Sequence, residues 1–143
     1  MPERTVRDVM HAGVVACAPD TPLTEVAATM RERVLSALVV MQDGLAVGVI
    51  SQTDLVNAAF VQPYLHHWRG LAARHLMTSP VVSVRPDARL GEALDLLRAC
   101  RIHRVIVTEP AAGGERPVGV LSMTDVVRAV GGDDAGRAAG RKP

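Results

Sequence analysis

The chain is written twice, and this repetition constrains its fold more than any single segment does. Val9-Met10 recurs as Leu76-Met77, Val14-Val15 as Val81-Val82, and Pro19-Asp20 as Pro86-Asp87, all at one shared offset. At the same offset, Leu23, Val26, Ala27 and Met30 become Leu90, Ala93, Leu94 and Leu97. Both sets have the i, i+3, i+4, i+7 spacing of a helix that buries one stripe. Leu38-Val39-Val40 matches Val105-Ile106-Val107, and Gly48–Leu55 (GVISQTDL) matches Gly119–Val126 (GVLSMTDV), four residues later than the first offset places it. The extra residues fall in Glu109–Pro117, where Pro, Gly and Ala predict a loop, and loops tolerate insertions.

Each copy reads as a short strand (near 14–17 and 81–84), a helix (22–33 and 88–99), two strands joined by a hairpin, and a second helix (53–60 and 124–130). This is a mixed α/β (α+β) pattern with the order β-α-β-β-α. Thr21-Pro22 is expected to cap the first helix with Pro at its first position. Asp43-Gly44 predicts the first hairpin turn. Neither copy alone can bury both faces of so small a sheet, so two copies are expected to pack about a pseudo-twofold axis. The divisions follow: repeat 1 over 5–60, a linker over 61–72 with Pro63 breaking the helix and Trp68 pinning it, repeat 2 over 73–130, and a disordered tail over 131–143.

Composition removes several functions. The chain of 143 residues has a net charge of +1 with both signs interleaved, so it lacks the basic footprint of a nucleic-acid binder. One Trp, one Tyr and one Phe supply no stacking platform for bases and leave Val, Leu, Ala, Met and Ile to build the core. No signal-peptide-like start and no apolar run of membrane-spanning length stands out. Cys17 and Cys100 read as reduced thiols acting as small hydrophobes, and the chain as soluble and cytoplasmic. Met10, Met30, Met77 and Met123 read as core filler, and His66, His67 and His75 do not make a closed metal set. Neither an activated nucleophile, nor paired carboxylates, nor a phosphate-binding glycine loop is present, so no enzyme activity is expected.

The repeated motif is Ser51-x-Thr53-Asp54 and Ser122-x-Thr124-Asp125, each following a strand and opening a helix. One reading is structural: Ser-x-x-Asp is a capping box, its hydroxyl and carboxylate satisfying backbone N–H groups that have no helical partner. The other is functional. A helix start with hydroxyls suits a phosphate, and an ionised Asp accepts hydrogen bonds from both hydroxyls of a ribose. The two readings are compatible, because a hydroxyl that caps in the empty state can meet phosphate when a ligand arrives.

The order strand, helix, hairpin, helix, the openings Asp8-Val9-Met10 and Leu76-Met77, the Pro-Asp pairs and the Gly-x-x-Ser-x-Thr-Asp endings resemble CBS (cystathionine-β-synthase) domains. Two copies resemble the paired unit called a Bateman module, over residues 5–130. The resemblance implies that Asp54 and Asp125 hold ribose hydroxyls and that Ser51, Thr53, Ser122 and Thr124 lie near phosphate or ribose. It implies that Val15-Ala16 and Val82-Ser83 line the base. His103-Arg104 matches the basic position that contacts phosphate in nucleotide-binding members, where the first repeat has Ser36-Ala37. By itself His103 also fits a surface histidine. The chain departs from many members in having Val39 and Ile106 where they carry Pro.

The expected function is therefore a sensor of an adenosine nucleotide or relative (AMP, ADP, ATP, NAD or S-adenosylmethionine) that requires no cofactor and signals to a protein target. The alternative is a ligand-free interaction scaffold that keeps the fold. Ala27-Ala28 and Ala58-Ala59-Phe60 give their helices wide apolar faces, and with the resemblance they imply a homodimer.

Overall fold

The structure, a computed structural model, describes residues 4–60 and 70–131. Its elements are α1 (Val6–Val9), β1 (His11–Ala12), β2 (Ala16–Cys17), α2 (Leu23–Arg33), β3 (Ala37–Gln42), β4 (Leu45–Ser51), α3 (Gln52–Phe60), α4 (Ala73–Leu76), β5 (Ser83–Val84), α5 (Leu90–Cys100), β6 (Arg104–Ala111) and β7 (Gly114–Ser122). A final helix, α6, covers residues 123–131. The described residues form two compact units. The first comprises Val14–Val82 with Pro110–Arg116, and the second comprises the residues up to Gly13, Ser83–Glu109 and those from Pro117 on.

In the first unit, β2 pairs parallel to β3 and β3 antiparallel to β4, giving a three-stranded sheet in the order β2-β3-β4. The β3–β4 turn is Asp43-Gly44, with φ of 55° and 80°. Two left-handed residues are what a tight hairpin needs, and this Asp-Gly pair adopts them readily. Leu23, Val26 and Met30 of α2 are buried with Leu38, Val40 and Ile50 of the sheet and with Leu55 and Ala58 of α3. The predicted stripes thus become one aliphatic core. The segment after the linker also belongs here: Ala73 is fully buried, Ala73 and Arg74 donate their N–H groups to Thr21 O and Pro19 O, and Thr78 bridges Val49.

The second unit repeats the plan around the order β1-β7-β6-β5. Ala93 and Leu97 of α5, Val105–Val107 of β6 and Leu121 of β7 are buried. Thr108, fully buried, is satisfied by Arg85, whose Nη1 donates to its Oγ1 at 3.1 Å. The N-terminal segment completes this unit. Val6 is fully buried, Val6 and Arg7 donate to Ala88 O and Pro86 O, and β1 pairs antiparallel with β7. The segment that opens one sequence repeat is therefore built into the unit formed mainly by the other.

Several local expectations change. Pro22 is the N-cap residue of α2 rather than its first helical residue, and the Thr21 hydroxyl accepts the Ala18 N–H in the preceding turn instead of capping. The insertion in the second copy is not a loop. β6 and β7 continue through it to a two-residue turn at Ala112–Gly113, with Gly113 at φ 85°, because extended backbone satisfies its own N–H and C=O groups across the hairpin. Cys100 and Met123 are exposed, so neither fills a core, whereas Cys17 packs against the core of the first unit and burial raises its thiol pKa. Among the described residues no helix is long and apolar enough to cross a membrane, and no cluster of His, Cys, Asp or Glu could hold a metal. His66, His67, Pro63 and Trp68 lie outside the described residues, as do the linker before Gly70 and the tail after Gly131.

Candidate functional site

In the first unit, register gathers the predicted residues at one end of the sheet. Ala16 pairs with Val39, the Val39 N–H donates to Val15 O at 3.1 Å, and Ala37 pairs with Ser51. The Gln52 N–H then donates to Ser36 O at 2.8 Å, which ties the start of α3 to the residue before β3. Ser36, Ala37 and Ser51 therefore adjoin the N-terminus of α3, while Val15 and Ala16 pair with β3 on its other side. The parallel β2–β3 pairing sets β2 beside β3, and the antiparallel β3–β4 pairing sets the end of β4 beside the start of β3.

The second unit gives the same arrangement. Ser83 pairs with Ile106 and Val84 with Val107, and the Met123 N–H donates to His103 O at 2.9 Å. His103 and Arg104 thus adjoin the start of α6, matching Ser36 and Ala37. His103 is exposed. Arg104 is half-buried, and burial lowers its guanidinium pKa from the ordinary arginine value. Ser83 belongs to this unit, while Val82 is the last residue of the first unit's main segment.

Both motifs form reciprocal capping boxes. The Ser51 N–H donates to Asp54 Oδ2 at 2.8 Å and the Asp54 N–H to Ser51 Oγ at 3.2 Å. The matching Ser122–Asp125 distances are 3.0 and 3.1 Å. Two backbone donors that the helix cannot use are satisfied at each start. The caps engage one oxygen of each carboxylate. An ionised carboxylate has about four acceptor sites on its two oxygens, so capping does not exhaust it. Ser51, Asp54, Ser122 and Asp125 are partly buried, whereas Thr53 and Thr124 are exposed.

One charged neighbour escaped the sequence reading. Arg128 Nη1 lies 4.0 Å from Asp125 Oδ1, with Arg128 largely exposed and Asp125 only 19% exposed. Its i, i+3 spacing from Asp125 on a helix was the available signal. The matching residue of α3 is Asn57.

Comparison with known proteins gives this arrangement a context. The CBS domain family model matches residues 6–60 and again 73–132. The human 5′-AMP-activated protein kinase subunit gamma-3 is 30% identical over 130 residues, 88% of this chain. This chain spans about a quarter of the length of that relative and of its bovine and porcine counterparts. The crystal structure of CBSX2 in complex with AMP has a TM-score of 0.75 at 29% identity, covering 88% of this chain and 95% of CBSX2. The CBS domain pair of protein MJ0100, in complex with 5′-methylthioadenosine and S-adenosyl-L-methionine, shares the fold at a TM-score of 0.80 and 20% identity, covering 92% and 99% of the two chains. The doubled strand–helix–hairpin–helix pattern read from the residues is thus the one the family model matches twice, and the chain belongs to the CBS domain family as a domain pair.

Proposed function

We propose that this protein is a regulatory module that binds an adenosine-containing ligand and has no catalysis of its own. The observation that carries this is the duplicated Ser-x-Thr-Asp, held in the same capped geometry at both α3 and α6. Capping alone needs no particular residue between Ser and Asp, yet Thr recurs there, exposed, in both copies. The roles follow the family pattern. Asp54 and Asp125 accept ribose hydroxyls, Ser51, Thr53, Ser122 and Thr124 line the ribose and phosphate, and Val15, Ala16, Val82 and Ser83 line the base. His103 and Arg104 contact phosphate. AMP and S-adenosylmethionine represent the two ligand classes bound by structural relatives.

Apolar side chains left exposed support self-association. Phe60 of α3 is 75% exposed, and Val127 and Val130 of α6 are 68% and 65% exposed. Burying such faces favours a homodimer, from which a bound ligand would signal to a protein target. Light scattering that gave a monomer at high concentration would remove the dimer from the proposal.

Thermal shift tests the ligand class, because a ligand that binds only the folded state raises Tm with saturation. AMP should stabilise the protein more than 2′-deoxy-AMP. The deoxy sugar leaves the carboxylate short of a donor, at a cost of roughly 1–3 kcal/mol. Equal shifts for both sugars would remove the ribose assignment. No shift with any adenosine ligand would favour the scaffold reading, in which the satisfied caps are the motif's whole purpose.

A further inference from the structure

The two repeats open on the same short helix but cap it with different chemistry. At the start of α1 the Thr5 N–H donates to Asp8 Oδ2 at 2.9 Å. At the matching place, the start of α4, the Ala72 N–H donates to His75 Nδ1, also at 2.9 Å. An imidazole thus stands where the first copy has a carboxylate, in a cap of the same span. Ala72 is buried, so losing the acceptor leaves a buried donor unmet. The bond also fixes the state of the ring. Nδ1 accepts only in the neutral imidazole, with the proton on Nε2, because both nitrogens of the charged ring are donors.

His75 sits where its segment is tied down. Ala73 and Arg74 donate their N–H groups to Thr21 O and Pro19 O, Arg74 pairs with Asp20, and Thr78 exchanges two backbone hydrogen bonds with Val49 of β4. The α4 helix packs against α3 and β4. Of these, β4 carries no titratable group and α3 carries Asp54, whose Oδ2 already accepts the Ser51 N–H. The start of α2, bridged to Ala72 through Pro22, adds Glu25. His75 itself is exposed, so protons reach it freely.

We propose that His75 makes the docking of α4 on the first unit sensitive to protons: the neutral ring holds the segment, and the charged ring releases it. An imidazole ordinarily changes charge between about pH 5 and 8, a range in which a carboxylate stays ionised. Protonation sets a ring N–H against the Ala72 N–H, and turning the ring over brings no acceptor in its place. A contact made only by the unprotonated group adds stability that acid removes. In mild acid the first unit therefore loosens at α4, while α1, capped by Asp8, stays docked on the second. No ligand is needed for this response.

Amide hydrogen exchange tests it, read as protection factors so that the intrinsic pH dependence of exchange divides out. Between about pH 7.5 and about pH 5, protection at Ala72 and Thr78 of the wild type should fall at least about fivefold, the low end for a buried donor left unmet, while protection at Val6 holds. His75→Asp supplies the same acceptor as α1 and should keep Ala72 and Thr78 protected at both pH values. His75→Ala should show the lower protection at both. Should His75→Ala fail to fold, the wild type and His75→Asp decide alone. Wild-type protection that does not change with pH, a loss confined to Ala72, or an equal loss in His75→Asp would overturn the proposal.

Discussion

Replacing Gly119 by Ala tests how the N-terminal segment is held on the second unit. A Cβ at Gly119 would lie 2.7 Å from the backbone oxygen of His11 and 2.9 Å from Met10 Sδ. Ala12 is Gly119's partner in the β1–β7 ladder, and the Gly13 N–H donates to Val118 O at 2.8 Å just beyond it. The oxygen belongs to paired backbone and cannot rotate away, so β1 must shift. Overpacking of this kind costs about 1–3 kcal/mol, and a ladder hydrogen bond lost with it adds about 0.5–1.5 kcal/mol. Alanine recovers about 0.5–1 kcal/mol through the unfolded chain. The expected net loss is about 1–3 kcal/mol, read as a lower urea midpoint together with faster hydrogen exchange at Gly13. Adding Met10→Ala should not restore stability, because the carbonyl remains. At Gly48 the three nearest atoms are Met77 Sδ, Cγ and Cβ, 2.6 to 2.9 Å away, and since Cβ is fixed to its backbone, Gly48→Ala should likewise shift the chain at Met77. A Gly119→Ala variant within about 0.5 kcal/mol of wild type, or one rescued by Met10→Ala, would refute this reasoning; surface-like tolerance is of that size.

Two further outcomes follow from local geometry. Val34 ends α2 at φ 51°, ψ 57°, in the left-handed region, with its side chain 89% exposed; Val34→Gly should therefore raise stability by about 0.5–1 kcal/mol in urea titration, since the left-handed strain of about 1–2 kcal/mol exceeds the entropy cost of glycine, and an unchanged or lower midpoint would contradict it. The Asp8 carboxyl is held below the ordinary aspartate pKa by the Thr5 backbone N–H and then by the Thr5 hydroxyl; a lowered folded pKa stabilises above the unfolded value, near pH 4, and that contribution is lost as pH falls through the folded value, so the gap in urea midpoint between wild type and Asp8→Asn should shrink from about pH 6 to about pH 3, and a constant gap would remove this role.

Much of the molecule was legible in the residues because local rules and tertiary packing agree. The stripes of Leu23, Val26 and Met30, and of Ala93 and Leu97, are buried as helix period requires, and Asp43-Gly44 turns where left-handed residues are needed. The two Ser-x-Thr-Asp motifs sit at helix starts because capping is a local interaction, complete within four residues. The second hairpin misled because Pro and Gly mark a break in pattern without saying how far the flanking strands continue.

What the sequence could not decide is where short segments dock. Val6 and Ala73 occupy matching places in the two repeats, and both are fully buried. Yet Val6 lies in the second unit beside Ala88, and Ala73 in the first beside Thr21. Each four-residue helix carries too little periodicity to name its partner, and both copies offer nearly the same Pro-Asp turn to receive it. The choice depends on chain reach and on close fits such as Met10 against Gly119 and Met77 against Gly48. The charge contrast between the sites is divided in the same way. The i, i+3 spacing already pairs Arg128 with Asp125 on a helix, but only folding ties His103 to the start of α6. Repetition, capping and the i, i+3 pair of Asp125 and Arg128 are written in neighbouring residues, whereas the docking of short segments arises between residues far apart in the chain, where only packing selects the partner.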